Sequence, residues 1–526
     1  MSTYLRPGVF IEEIERGPRP IEGVPTSTAA FLGEAERGPI TPRLVTSYSD
    51  YKRWFGDVFG TRERYMPYAA SGFFENGGTQ LYVCRIVGQA ATSAVKTFGD
   101  FKVTAAGAGL WGNRVWVDIS DGTTTALDST GAKKSVGFRV RTAYWSSAPN
   151  NSPPFDPFAD GGDAKVPRPS LIEDFDDLVT DPKSPDFYAK RLTGNSALIS
   201  LDGPTGDDTI SPARDKGGLD GGADGSGETG KSDFQGDPAD QRVLPQGLSA
   251  LELDPYRDVA LVYAPYHAPS PHLVAEAVVT HCEKMKFRFA VVDPDKNVTN
   301  VTKLDPRTNF GDEGYIDSEY AAFYHPWLQI SDPQNGVLRW VPPGGHVLGI
   351  YARTDNDRGV FKAPANEEVK GAVDLGVDIN DGVQEQLNPR GVNCIRRFPG
   401  RGIRVWGART LSSDGLWKYI SVRRLFIFLE RSIYENTQWV VFEPNDDRLW
   451  ARVKDTIRLF LRSQWRGGAL FGRTEDEAFF INIDRTTMSQ DDILNGRLIC
   501  EIGIAPVRPA EFVIFRIFQN TAEAQR

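Results

Sequence analysis

The sequence predicts a multidomain α/β protein with an inserted β-rich domain and a C-terminal α+β domain. One observation is a strand, helix and strand in succession: DVALVYAP (Asp258 to Pro265), an amphipathic stretch from His272 to Lys286, and FRFAVVD (Phe287 to Asp293). That spacing suits a parallel crossover. A second is the change of texture between about Gly99 and Gly247, where alternating strands are separated by Gly, Pro and Asp, the pattern of an antiparallel β domain. The third is EFVIFRIF (Glu511 to Phe518), close to the end of the chain. Side chains alternate with period 2 along a strand, so Phe512, Ile514 and Phe518 share one face and Val513, Phe515 and Ile517 the other.

Taken in order, residues 1–23 read as a linker arm. Val9 to Glu15 (VFIEEIE) is a short acidic strand carrying Val9, Phe10, Ile11 and Ile14, and the following RGPRPIEGVP (Arg16 to Pro25) holds three prolines. Such a stiff run spans about 30 Å when extended. Residues 24–98 and 248–380 form the discontinuous α/β core. In its first part TAAFL (Thr28 to Leu32) and LYVCRIV (Leu81 to Val87) are buried-strand candidates, and Asp50 to Phe55 is a short capped helix.

Residues 99–247 make the insert, with strands at Arg114 to Ile119 and Phe138 to Trp145; its Gly/Asp-rich end, 202–246, is expected to be a mobile loop. Residues 381–526 form the C-terminal domain, with helices at Trp417 to Asn436 and Arg448 to Gln464. Its strands fall near Ile403 to Trp406, Phe479 to Ile483 and Leu498 to Ile504, with the terminal strand at 511–518.

That terminal strand sets a functional question. At roughly 1.5 to 3 kcal/mol per large side chain, exposing all six would forgo on the order of 10 kcal/mol, comparable to the net stability of a whole domain. It must dock into a sheet, either that of its own domain or that of a neighbour. With a detachable strand at each end, the chain suits stitching to copies of itself by strand addition at open sheet edges.

Composition limits the alternatives. The 526 residues imply two to four domains. A net charge of -10 argues against general nucleic-acid binding. Cys84, Cys282, Cys394 and Cys500 are far apart in apolar surroundings, as reduced core thiols of a protein folded in a reducing cytoplasm would be. No signal peptide is read before the first strand, and the longest strongly apolar run of the C-terminal region, Leu425 to Leu429, is far below the roughly 20 residues of a membrane span. Synthesis and assembly in the cytoplasm, without membrane insertion, are expected.

Chemistry-bearing motifs are weak. GSGETGKS (Gly225 to Ser232) matches the phosphate-loop pattern at every fixed position, but a buried strand before it and a helix after it are not predicted, and aspartates flank it. Asp293, Asp295 and Asn297 have calcium-loop spacing broken by Pro294. His272, His281 and Cys282 are spaced wrongly for convergence on a metal. No GxSxG element or nucleophile partner for the five histidines is found. No enzyme activity, cofactor or metal is expected.

One surface is distinctive: Arg448, Arg452, Arg458 and Arg462, with Lys454 nearby, back an apolar stripe of Leu449, Val453, Ile457, Phe460 and Leu461. Such a face is commonly just solvated; in an acidic protein it is also the best candidate for docking an acidic partner.

Several segments together resemble the contractile tail sheath family of phage tails and bacterial contractile injection systems. They are TYLRPGVFIEEI (Thr3 to Ile14), YAASGFFENGGTQLYVCRI (Tyr68 to Ile86), GLWGNRVWVDI (Gly109 to Ile119), GIYARTDNDRGVFKAPAN (Gly349 to Asn366), LNPRGVNCIRRFPGRGIRVWGARTLSSD (Leu387 to Asp414) and WKYISVRRLFIFLERSI (Trp417 to Ile433). Nothing between Asp156 and Leu248 contributes. The resemblance implies a six-fold helical sheath around an inner tube, with baseplate and tail-terminator partners and arms that donate strands to neighbours. It also implies a subtilisin-like α/β core without a catalytic triad and an outward-facing insert. The implied mechanism is mechanical: a metastable extended sheath contracts and drives the tube through a target envelope. The alternatives are a passive, non-contractile shell or tube, and a P-loop nucleotide-binding protein.

Overall fold

A computed structural model describes residues 20–516, apart from 59–63, 128–130, 207–209, 226–227, 237–245, 267–270, 297, 299, 302–303, 309–313 and 333. The chain divides into two compact units, one of residues 25–424 and one of residues 1–24 and 425–526.

The larger unit is organised by a nine-stranded sheet in the order Glu367–Glu368, Gly402–Trp406, Val392–Phe398, Ala321–His325, Phe289–Val292, Leu261–Tyr263, Ala29–Gly33, Leu81–Arg85, Arg43–Val45. The run from Val392–Phe398 to Leu81–Arg85 is parallel, and antiparallel strands close both ends. Ala29–Gly33 and Ala321–His325 are buried at every position, as strands covered on both faces must be. The predicted crossover is present: Leu261–Tyr263, the helix Pro271–Met285 and Phe289–Val292 are consecutive, and the strands pair in parallel. The helix expected around Asp50 to Phe55 runs Tyr48–Phe55, with Ser47 accepting from the Asp50 amide at 3.0 Å.

Helix Gly344–Arg358 packs against Met66–Glu75. A Cβ on Gly345 would lie 2.5 Å from Ala69 Cα, and one on Gly349 2.4 Å from the Phe73 carbonyl oxygen. Only glycine permits backbones this close.

The insert is built on two main antiparallel sheets, ordered Leu171–Leu178, Phe138–Tyr144, Val115–Asp121, Lys216–Gly218 and Ile199–Asp202, Phe101–Ala105, Val95–Phe98, beside a small strand pair, Thr125–Leu127 with Lys133–Ser135. They share a core that includes Phe101, Trp111, Val117, Phe138 and Leu201. Tyr144 donates to Glu36 at 2.7 Å, and Arg85 to the Ala108 carbonyl at 2.6 Å. The first bond joins the insert to the loop after Ala29–Gly33 and the second to the end of the strand Leu81–Arg85, and burial pulls the Arg85 guanidinium down to about 10.

Two expectations change. The Gly/Asp-rich stretch 202–246 is not one mobile loop: Lys216–Gly218 is a sheet strand, Thr92 and Ala223 form a bridge, and Leu219 and Phe234 are buried. Those two large apolar side chains anchor glycine-rich backbone that composition alone reads as solvated. Residues 381–526 do not fold as one body, because Val392–Phe398 and Gly402–Trp406 complete the main sheet. Of the terminal strand expected at 511–518, residues 511–516 carry no strand pairing with the other described residues.

The GSGETGKS segment is occupied by local contacts. The Thr229 hydroxyl donates to Glu34 at 2.9 Å, Lys231 pairs with Glu276 at 2.9 Å, and only a five-residue helix, Lys231–Gln235, follows. Asp293 accepts from Tyr263 at 2.5 Å and from the Gly344 amide at 3.0 Å. His281 faces Arg288 at 2.6 Å.

Candidate assembly interface

The smaller unit is built on the helix Asp447–Arg466. Asp446 caps it, accepting from the amides of Arg448 and Leu449 at 3.1 and 2.9 Å, a satisfied N-terminus of the kind that fixes where a helix begins. Leu449, Val453, Ile457, Phe460 and Leu461 are buried, so the apolar stripe read in the sequence is the face that packs.

Beside that helix lies an antiparallel strand pair, Phe479–Asn482 with Glu501–Ile504, in register Phe479↔Ile504, Phe480↔Gly503, Ile481↔Ile502 and Asn482↔Glu501. Among the described residues it is a two-stranded sheet. Each strand therefore has one edge without a strand partner among the described residues, the template that another strand can extend.

Of the predicted linking residues, Phe512, Val513, Ile514 and Phe515 follow the last sheet strand without regular secondary structure and are 68% to 84% exposed. Ile517 and Phe518 lie outside the described residues, as do Val9, Phe10, Ile11 and Ile14. The chain enters the described region along the helix Ile420–Asn436: Asn436 donates to the Glu22 carbonyl at 3.1 Å, and the Val24 amide to Ser432 at 3.2 Å. A Cβ on Gly23 would meet the Phe428 ring at 2.9 Å. The first described residues and the tail thus both belong to this smaller unit.

The basic face is less open than its sequence suggests. Arg458 and Arg462 both pair with Glu475, and the Arg462 hydrogen bond, with help from Arg458, holds that carboxyl below its ordinary range. Arg452 lies 4.6 Å from the Trp439 ring centroid and 3.9 Å from Glu443. Lys454 is half-buried. Arg448 and Arg452 remain exposed, together with Arg466 in the last turn, which the sequence reading omitted. Glu475 was not legible as their partner because the pairing spans a turn and a separate helix.

Two family models match this chain consecutively: the phage tail sheath protein central domain over residues 244–411, and the phage tail sheath C-terminal domain over 412–520. The chain belongs to the contractile tail sheath family. It is a structural sheath subunit. Among tail sheath relatives, the major tail sheath protein described for a prophage of Pseudomonas aeruginosa strain UCBPP-PA14 is 27% identical over 282 residues, covering 52% of this chain and 68% of that one. The chain spans 33% of the tail sheath protein of Vibrio phage KVP40, at 25% identity over 44% of its own length. Chains in two solved assemblies share the fold. One is the sheath complex of the extracellular contractile injection system PVC in its contracted state, with TM-score 0.58, 22% identity and 100% of both chains covered. The other is the six-fold symmetrised baseplate of the anti-feeding prophage, with TM-score 0.54, 22% identity, and 99% of this chain and 100% of that chain covered. Among the described residues no helix is long and apolar enough to cross a membrane.

Proposed function

We propose that this subunit polymerises as a six-fold helical sheath around an inner tube, and that the sheath contracts to drive the tube through a target envelope. Its chemistry is that of assembly rather than catalysis. The observation that carries the reading is the coexistence, in one unit and among the described residues, of an open two-stranded sheet and an exposed apolar stretch, Phe512 to Phe515. Each supplies what the other lacks, and copies joined tail to sheet form an open, head-to-tail polymer.

The run of parallel strands supports a subtilisin-like description of the α/β core. The insert at 99–247 is placed on the outside of the sheath, with the arms 1–23 and 511–518 linking neighbours. Strand linkage keeps subunits joined while their bodies repack, so energy stored in a metastable extended state is released as motion. Arg448, Arg452, Lys454, Arg458 and Arg462 are the candidates for the tube-facing surface, with Arg448 and Arg452 the most available. Baseplate and tail-terminator proteins are the expected partners at the ends. The particle is assembled in the cytoplasm as a phage tail or an injection system released from the cell.

Electron microscopy of the full chain beside a chain lacking residues 511–526 tests the reading. Helical tubes from the first and folded monomers from the second are expected; equal assembly by both would overturn strand linkage through the tail.

A further inference from the structure

Within the larger unit, a cleft of about 1330 Å³ lies beyond the carboxyl ends of Ala29–Gly33 and Leu81–Arg85, and residues of the insert, among them Trp111, Arg114 and Tyr144, form part of its wall. The chain passes from Ala29–Gly33 to Leu81–Arg85 on one side and, after the insert, returns to Leu261–Tyr263 on the other. Such a change of direction leaves a crevice at the carboxyl ends of the strands, where open α/β sheets bind ligands. The volume exceeds the roughly 300 to 1,000 Å³ of a small-molecule pocket.

Three guanidinium groups line this cleft. Arg37 and Arg85 are each 4% exposed and Arg114 is half-buried. Backbone carbonyls hold all three. Arg37 donates to those of Lys52, Arg53 and Trp54 at 3.0, 2.6 and 3.2 Å, Arg85 to those of Ala35, Gly38 and Ala108 at 3.2, 3.1 and 2.6 Å, and Arg114 to that of Ser146. Carbonyls orient a cation without neutralising it. None of the three has an ion-pair partner among the described residues, and the Nε–H groups of Arg37 and Arg114 have no hydrogen-bond partner there either. Burial lowers the Arg37 and Arg85 guanidinia from their ordinary value, with Asp224 the main charge opposing this at Arg85.

The carboxylates of the cleft serve other groups. Glu36 accepts from Tyr144 and from the Asp57 amide at 2.7 and 3.1 Å, Asp224 from the Leu110 amide at 2.7 Å, and Asp57 from Tyr48 at 3.0 Å. Glu34 pairs with Arg64, and Glu228 is exposed. Arg37 and Arg114 lie 5.2 and 5.3 Å from the Tyr144 ring centroid, and Trp111 meets that ring edge-on at 5.9 Å. A Cβ on Gly109 would be 2.9 Å from Arg85 Nη2 and 2.8 Å from Trp111 Cδ1, so Arg85 borders the same aromatic pair. Buried cations without a counterion are costly, and three around one cleft call for an anion.

We propose that the cleft binds a small organic oxyanion of multiple charge, phosphorylated or polycarboxylate, held by Arg37 and Arg85 of the α/β core and Arg114 of the insert. The anion then clamps the insert to the core. Gly225 and Thr229 of the GSGETGKS segment contribute wall only; Lys231 does not line the cleft and pairs with Glu276.

Isothermal titration of the full chain in chloride buffer with pyrophosphate, inorganic phosphate and citrate tests the proposal. Saturable binding of one anion per chain is expected, with pyrophosphate tighter than citrate for a phosphorylated ligand and the reverse for a polycarboxylate. Arg114→Gln is expected to weaken binding about tenfold. Lys133→Gln, at an exposed position of the insert outside the cleft, is expected to leave it unchanged. If Arg114→Gln fails to fold, hydrogen exchange of the unaltered chain with and without pyrophosphate decides, with slowing expected at residues 34–38, 85–88 and 108–114. No saturable binding of any of the three anions, undiminished binding by Arg114→Gln, or slowing confined to other segments would each sink the site. Tube formation by the full chain does not depend on this result, so the assembly reading stands or falls separately.

Discussion

Removing the carboxylate of Asp355 is expected to destabilise the larger unit by about 3 to 5 kcal/mol, the cost of leaving one member of a buried ion pair without its partner. The Arg424 and Asp355 side chains are each 3% exposed and meet through two parallel hydrogen bonds of 2.9 and 2.5 Å. The same guanidinium donates to the Thr26 carbonyl at 3.0 Å, and the Thr26 hydroxyl donates to Asp355 at 2.6 Å. Arg424 also lies 4.8 Å from the Tyr351 ring centroid. Asp355→Ala strands a buried cation whose remaining contacts cannot neutralise it. The double replacement Asp355→Leu with Arg424→Met removes both charges and is expected to recover most of the loss, because a buried pair is worth little relative to apolar residues of similar size. Urea denaturation of the unaltered chain, Asp355→Leu, Arg424→Met and the double replacement, with Asp355→Ala beside them and each at concentrations where it is monomeric, completes the cycle. A cost below about 1 kcal/mol for Asp355→Ala, the range of exposed pairs, would refute the argument that this pair is desolvated and unreplaced.

Gly345→Ala is expected to cost about 1 to 3 kcal/mol in the same assay, because the new methyl overlaps Ala69 backbone and forces two helices apart. Stability is expected to fall between pH 6.5 and 4. Burial depresses His325 and His346 to about 4 and His281 to about 3, so the unfolded chain binds protons first as pH drops below the ordinary imidazole value, and their contribution is lost on the way down. Asp293, which burial raises to about 7, acts in the opposite sense by holding its proton in the fold. The net of two groups gives a slope of roughly 3 kcal/mol per pH unit; unfolding midpoints that stay flat from pH 7 to 5 would contradict it. Reversing Arg452 and Arg458 to Glu is expected to leave folding intact and to weaken sheath formation around normal tube; unchanged assembly would remove this helix from the tube-facing surface. Glu475→Gln, which releases Arg458 and Arg462, is expected to change stability by no more than about 1 kcal/mol while advancing elution from an anion exchanger.

Periodicity made the local elements legible. The helix Asp447–Arg466 packs the stripe read from its spacing, and the crossover from Leu261–Tyr263 to Phe289–Val292 is where strand, helix and strand follow one another in the chain. These depend on residues a few positions apart, so their physics is written locally. The two-faced apolar tail is legible for the same reason, since alternation alone shows that both faces need cover.

What depended on distant partners was hidden. The joining of Val392–Phe398 and Gly402–Trp406 to a sheet begun at Ala29, the anchoring of a glycine-rich stretch by Leu219 and Phe234, and the capture of Arg458 and Arg462 by Glu475 all arise from contacts between segments whose separation carries no period. By itself the sequence determined that the chain has surface it cannot leave in water, because transfer energy follows composition and alternation. Only the tertiary structure decided that residues 511–516 carry no pairing and that the strand pair Phe479–Asn482 and Glu501–Ile504 has open edges among the described residues, because an edge exists only once strands have been placed side by side.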